Sequence, residues 1–412
     1  MSTTHRAGPA AGALLGGHAV TWREHLDLRG PLPEHSGPRL LDEIAASGLT
    51  GHGGAHFPTA RKLALVAQTP ETIVIANGAE GEPASSKDRV LLQQSPHLVL
   101  DGLEIIARIT GVRSTHLAAP GDLLDTVIDA AVHDRPGRRV KLHAAPEGFV
   151  TGQESAVAAL VSGLPARPVT LTAPLMTRGI TGRPTIVQNV ETLAHIALIA
   201  RFGASWFRSR GVPDEPGTRL VTISGAVAQP GVLEVRGGTA LGDIIDRAGG
   251  LSQPVHAMLI GGYHGCWVPW TGRVAASALS AEGLSQYGAS PGAGVLIALP
   301  AQRCGVQAAA DIAAYLAGES AGQCGPCRNG LPTIASHLDD LAYGRATSDT
   351  VAQLYRFSDV VEGRGACRHP DGTARFIRST LRTFSAEVAH HLAGRCTAHR
   401  NRTPPSTQRR TS

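Results

Sequence analysis

Gly51-His52-Gly53-Gly54-Ala55-His56-Phe57-Pro58-Thr59-Ala60-Arg61-Lys62 is the stretch whose reading decides the fold of this chain. Its glycines leave a backbone that can approach a ligand closely and take positive φ without strain. Pro58 opens a helix, and amide groups at a helix start, with a lysine just inside, favour an anion. The stretch reads as a phosphate or pyrophosphate cradle running into a helix over about 58–67. Taken alone, such a turn is more often a plain loop, so its neighbours have to decide.

Outward from the loop the chain alternates. Residues 39–48 have amphipathic spacing closed by Gly48, a short helix. Thr72–Ala76 is a β-branched apolar run, a buried strand. It leads into Asn77-Gly78-Ala79-Glu80-Gly81-Glu82-Pro83, at the carboxyl end of a strand, where open α/β sheets bind ligands. Helices over 96–110 and 122–133, with strands near 115–119 and 140–143, continue an alternation that implies a parallel sheet covered by helices. Phe149–Ala156 starts another helix from a loop, 164–184 is an extended proline-rich crossing, and Gly182–Leu193 opens a helix reaching about 202. A composition shift near 211–218 marks a boundary. Strands at 219–225 and 232–235, a capped helix over Thr239–Ile245 ending at Gly249-Gly250, and strands at 257–260 and 295–298 then describe a small β-grasp-like unit. From Asp311 the pattern is helical, broken by a cysteine loop at 319–330 and by 363–370.

Composition agrees with a loop-rich α/β enzyme of several domains: 412 residues, 49 Gly, 27 Pro and only 4% aromatics. No run of 18 apolar residues occurs, so no transmembrane helix is expected. The net charge of +5 is partly a tail effect, from Arg400, Arg402, Arg409 and Arg410. No basic stripe interleaved with aromatics occurs, which argues against a nucleic-acid partner. Six cysteines are too few for a disulfide framework, and Cys324-x-x-Cys327 points to metal or redox chemistry in a reducing, cytoplasmic setting. Cys266 and Cys396 read as ordinary thiols, and His264, beside Trp267 and Trp270, as a packing residue.

Four patches together resemble the NADH-oxidising flavoprotein subunit of respiratory complex I, also found in NAD-linked hydrogenases and formate dehydrogenases. The family's G-R-G-G-A-G-F-P-T-G-x-K is similar to 51–62, and its N-A-D-E-G-E-P-G-T-F-K-D-R to Asn77–Arg89. Its Y-I-C-G-E-E-T-A is similar to Phe149–Ala156, and its G-K-P-T-x-V-N-N-V-E-T-L to Gly182–Leu193. Residues 219–262 resemble its soluble-ligand-binding β-grasp (SLBB) domain. Glu319–Arg328 with Cys367 resembles its E-S-C-G-x-C-x-P-C-R motif and later cysteine.

The resemblance implies a Rossmann-like FMN-binding domain (38–210), an SLBB-like β-grasp domain (215–300) and a C-terminal helical iron–sulfur domain (305–395). A flexible N-terminal segment (1–37) and a disordered basic tail (396–412) flank them. It implies FMN, NADH as hydride donor, and a [4Fe–4S] cluster that delivers electrons to a ferredoxin, a quinone-linked acceptor or a thioredoxin-like Fe–S partner, at most peripherally to a membrane complex. Gly51, Gly53, Gly54 and Lys62 then suit the FMN phosphate. Asn77, Asn189 and Thr192 suit its ribityl chain or ring edge, and Glu80, Glu82, Gly152 and Glu154 the nucleotide. No general base is expected, because hydride transfer is the cofactors' chemistry.

The departures cluster. His52, His56, Ala79, Ser86 and Gln153 replace the family's Arg, Gly, Asp, Phe and Glu, which predicts a weakened or altered nicotinamide site. Ala321 replaces one cluster cysteine, leaving Cys324, Cys327 and Cys367 to hold a [4Fe–4S] or [3Fe–4S] centre, or to remain as vestigial thiols with the cluster lost. Cys304 would be a fourth ligand if its loop folds back, and zinc on the three cysteines and His369 is a further option. The contrasting reading is a flavin-binding scaffold of the same fold without turnover.

Overall fold

The computed structural model describes residues 13–137, 139–396 and 398. The N-terminal half is built on four parallel strands, β1 (Ile73–Asn77), β2 (Ser114–Pro120), β3 (Arg139–Ala145) and β4 (Thr185–Asn189), in the order β3-β2-β1-β4. Strand β1 is central because both of its faces are apolar. Val74 and Ala76 join one buried cluster, and Ile73 and Ile75 join another. That is the period-2 alternation of a strand covered on both sides.

The first cluster is filled by the helices Pro96–Thr110 and Val190–Phe202. At Gly102 a side chain would run into the Leu193 backbone, so the glycine lets these helices approach main chain to main chain. Asn189 ends β4 and caps the following helix, accepting from the Glu191 N–H at 3.0 Å. Here sequence and structure part. Residues 182–193 were expected to open a helix, but Thr185–Asn189 pair in parallel register with Ile73–Asn77. Their β-branched apolar character and non-local pairing override the polar signals around them.

The segment 13–37, expected to be flexible, is packed. The amides of Ala13, Leu14 and Leu15 donate to Glu234 at 2.9–3.0 Å. A capping box from Thr21 and Glu24 starts the helix Trp22–Arg29. His25, Arg135 and Arg201 all reach the fully buried Asp101 carboxylate, at 2.7, 2.9 and 2.5 Å. Residues 1–12, and the tail beyond 396 apart from residue 398, lie outside the described residues.

The middle unit is a mixed five-stranded sheet, β6-β5-β9-β7-β8. Its strands are β5 (Thr218–Gly225), β6 (Gly231–Arg236), β7 (Val255–Ile260), β8 (Cys266–Pro269) and β9 (Val295–Pro300), with the helix Leu241–Arg247 packed into the same core. The short β8 has no counterpart in the sequence reading. A bundle follows, from Gly305–Gly318 through Leu331–Ala342, Thr350–Val361 and His369–Thr383 to Ser385–Leu392. Its core takes in Phe149, Leu259 and Trp267, which ties all three units together.

Candidate functional site

A cleft of about 1060 Å³ opens beyond the carboxyl ends of β1 and β4, where open α/β sheets bind ligands. Every residue expected from the sequence to hold nucleotide or flavin lines it: Gly51, Gly53, Gly54, Lys62, Asn77, Glu80, Glu82, Gly152, Glu154, Asn189 and Thr192. The volume lies just above the usual range of single-ligand pockets, roughly 300–1,000 Å³. The β-grasp unit closes one wall with Gly261, His264 and Gly292, and the bundle supplies Cys367, Arg368 and Arg375.

The glycine loop is pinched at its base. Thr50 and Pro58 bridge, and the Gly51 N–H donates to the Phe57 carbonyl at 2.9 Å. Between these points the backbone reaches positive φ at Gly54 and at His56. The His52 N–H donates to Thr192 Oγ1 at 2.9 Å, fixing the loop to the Val190–Phe202 helix. Lys62 is buried beneath the loop and donates to Glu154 Oε1 at 2.5 Å and to the Val187 carbonyl at 2.7 Å.

The floor is a buried charge network. Lys87 pairs with Asp88 at 2.6 Å and Glu191 at 2.9 Å. Asn189 donates to Asp88 at 2.6 Å and accepts from Lys87 at 3.3 Å. Burial pushes the Glu191 carboxyl up, but Lys87, His52 and His195 outweigh it and hold it down at about 2. Glu191 also accepts from the Leu220 N–H at 2.7 Å, which joins the floor to β5. Asn77 donates to the Gly152 carbonyl at 2.8 Å. Gly81 and Gly152 let the loops 79–82 and 148–153 touch backbone to backbone; a side chain at either would strike a carbonyl oxygen.

The two motif glutamates already have partners in the protein. Glu80 accepts from Ser85 and from the Asp88 and Arg89 amides at 3.2 Å, capping the helix Lys87–Gln94. Glu82 accepts from the Tyr263 N–H at 2.8 Å, bridging to the β-grasp unit, and burial lifts its carboxyl to about 7. Two nitrogens of the lining have no partner among the described residues, Gln188 Nε2 and His56 Nε2. Buried amide donors are normally satisfied, and Gln188 is 5% exposed. A ligand with carbonyl and ring-nitrogen acceptors, such as a flavin, matches that orphaned donor. Gln188 escaped the sequence reading because its place on β4 was not recognised.

The substituted positions separate. His52 turns inward against His195 and Thr50. Burial holds the His56 imidazole down at about 4, so at neutral pH it is an uncharged ring in the cleft wall. Ser86 is exposed and not among the residues lining the cleft.

Cys367 lines the bundle end of the cleft, and Cys324 and Cys327 lie close enough for the three sulfurs to influence one another. Burial, then the neighbouring sulfurs, push the Cys327 thiol up to about 12. Among the described residues the three do not close into the single-ion spacing of 4.8 Å, as one tetrahedral zinc would require with Zn–S bonds near 2.3 Å. His369 is not free to ligate. Its Nε2 faces the Leu316 carbonyl at 2.8 Å and its Nδ1 faces His264 at 3.0 Å. His264 packs between His369 and Phe149. Cys304 does not fold back to the cysteine loop; it lies against Glu387 and His391. The thiol donor set fits an iron–sulfur centre with one protein ligand fewer than usual.

Three family models match the chain. They are the Nuo51 FMN-binding domain over 44–198, the SLBB domain over 220–262, and the NADH-ubiquinone oxidoreductase-F iron-sulfur binding region over 307–391. The second NADH-quinone oxidoreductase F subunit of Rhizobium meliloti (strain 1021) is 28% identical, with 90% of this chain and 93% of the relative covered. The NADH-quinone oxidoreductase F subunit of Streptomyces coelicolor is 30% identical, covering 86% and 83%. Among solved structures, an NAD+-reducing [NiFe]-hydrogenase in the H2-reduced state superposes with a TM-score of 0.79 at 32% identity, over 87% of this chain. The present chain spans 63% of that hydrogenase chain's length. No helix among the described residues is long and apolar enough to cross a membrane.

Proposed function

This chain belongs to the family of NADH-quinone oxidoreductase F subunits, and we propose that it is an NADH-oxidising electron-transfer subunit with FMN in the cleft and an iron–sulfur centre in the bundle. Bound there, FMN would supply the exchange between a two-electron hydride donor and one-electron carriers. The protein's residues bind, orient and shield. Lys62 and the 51–54 backbone face the phosphate end. Gln188, Asn77 and Asn189 present amides to the ribityl chain and ring edge. Glu154, half-exposed at the lip, accepts from the hydroxyls of the incoming nucleotide. The Lys87–Asp88–Glu191 network keeps the floor rigid and dry.

One observation carries this reading. Cys367, a member of the thiol set, lines the same cleft as the nucleotide-binding loops. The residues expected to hold donor and acceptor thus share one wall. The final acceptor is a partner protein or a small carrier such as a ferredoxin, in keeping with relatives that are named as subunits.

The test is anaerobic reconstitution with FMN, iron and sulfide, then titration with NADH. Bleaching of the flavin bands followed by reduction of the iron–sulfur absorbance is expected. Bound flavin that NADH leaves unchanged would overturn the reading in favour of a scaffold.

A further inference from the structure

A second constellation of ligand-type side chains lies in the bundle, away from the cleft and unused by the proposed electron path. Cys304 is the residue before the helix Gly305–Gly318. Glu387 and His391 are four residues apart on Ser385–Leu392, and so share one face of that helix. Cys396 follows a left-handed turn at Gly394, closed by the Gly394 N–H on His391 and the Arg395 N–H on His390, which returns the chain to the same point.

All four ligand atoms lie within 4.8 Å of one another. Cys304 Sγ is 3.2 Å from His391 Nε2 and 3.4 Å from Glu387 Oε1. His391 Nε2 is 3.2 Å from the same carboxylate oxygen, and Cys396 Sγ is 3.5 Å from it. A tetrahedral site with bonds of 2.0–2.3 Å has ligand–ligand edges of about 3.3–3.8 Å. The observed edges fall in or beside that range.

We propose that Cys304, Glu387, His391 and Cys396 form a structural zinc site that fastens the last helix of the bundle to its first. Two sulfurs, one imidazole nitrogen and one carboxylate oxygen suit zinc among the common divalent ions. Four protein ligands leave no open position, so the site is closed and has no part in catalysis. The Gln307 N–H donates to Cys304 Sγ at 3.4 Å, the kind of contact that orients a thiolate ligand. As a hydrogen-bonded knot the group is poor: two weak thiol donors and one ring nitrogen crowd a single carboxylate oxygen. A cation at their centre satisfies all four at once.

The experiment measures zinc in the full-length chain by mass spectrometry, with X-ray absorption at the zinc edge. Three proteins are compared: wild type, Cys396→Ala, and the double variant Cys324→Ala/Cys327→Ala, which disables the other thiol set. One zinc per chain in the wild type and the double variant is expected, with a shell of two sulfurs and two lighter atoms. Cys396→Ala, at a half-exposed position that tolerates truncation, is expected to lose most of it. Zinc held equally by Cys396→Ala, zinc lost with the double variant, no zinc in chain refolded with the metal, or a Cys304–Cys396 disulfide would each overturn the proposal.

Discussion

Replacing Lys62 by Met removes an ammonium from beneath the glycine loop while keeping most of its bulk. Two of its three N–H groups are spent, on Glu154 at 2.5 Å and on the Val187 carbonyl at 2.7 Å, leaving the third for a ligand. The Glu154 side chain is 53% exposed, so this ion pair contributes at most about 1 kcal/mol. The Val187 carbonyl loses a buried donor, at a cost of about 1–3 kcal/mol. A modest loss of stability, readable by urea titration, is therefore expected. A charge-assisted hydrogen bond to phosphate is worth about 1.5–3 kcal/mol, or roughly 10- to 150-fold in affinity. The assay is flavin-fluorescence quenching with FMN and with riboflavin, which lacks the phosphate. Lys62→Met should weaken FMN by that factor and leave riboflavin within about twofold. Equal weakening of both, or of neither, would refute the assignment of Lys62 to the phosphate.

Asp101→Asn leaves Arg135 and Arg201 facing a neutral group in a fully buried site; a loss of about 3–5 kcal/mol in urea unfolding is expected. Gly102→Ala should destabilise by about 1–3 kcal/mol, despite alanine's better helix propensity, because the helix packing is main chain to main chain. Gly318→Ala, with open space around it, is the control expected to be neutral or slightly stabilising. Glu82 is raised from 4.5 to about 7 by burial. Folding therefore favours its neutral form, and the stability so gained is present below pH 4.5 and lost as pH rises through 7. Glu82→Gln should gain on the wild type across that window in thermal melts at graded pH, then level off; a constant offset would contradict this. Cys367→Ser should lose iron on anaerobic reconstitution yet keep FMN, measured by metal analysis and flavin absorbance.

The alternating strands and helices of the first half were legible because β1 and β2 are short, largely apolar runs bounded by turns. Strand β4 was not, since Thr185–Val187 sit between a proline and the polar Gln188-Asn189-Val190-Glu191 that starts a helix. Only pairing with Ile73–Asn77 settles the matter. The cleft's lining was legible motif by motif, yet its floor was not. Lys87 and Glu191 meet at 2.9 Å across more than a hundred residues, and no local pattern announces such a pair. Glu80 looked like a nucleotide ligand in sequence and caps a helix in the fold. Cys396 read as an ordinary thiol and Cys304 as a candidate cluster ligand, because the chain between them says nothing of their convergence with His391.

A crystal structure of the chain soaked with FMN tests the central claim most directly. Density for the isoalloxazine and ribityl phosphate is predicted in the cleft between Gly51–Gly54 and Gln188–Asn189, with the Gln188 amide bonded to the ligand. A cleft left empty at saturating FMN, or flavin bound elsewhere on the chain, would contradict it.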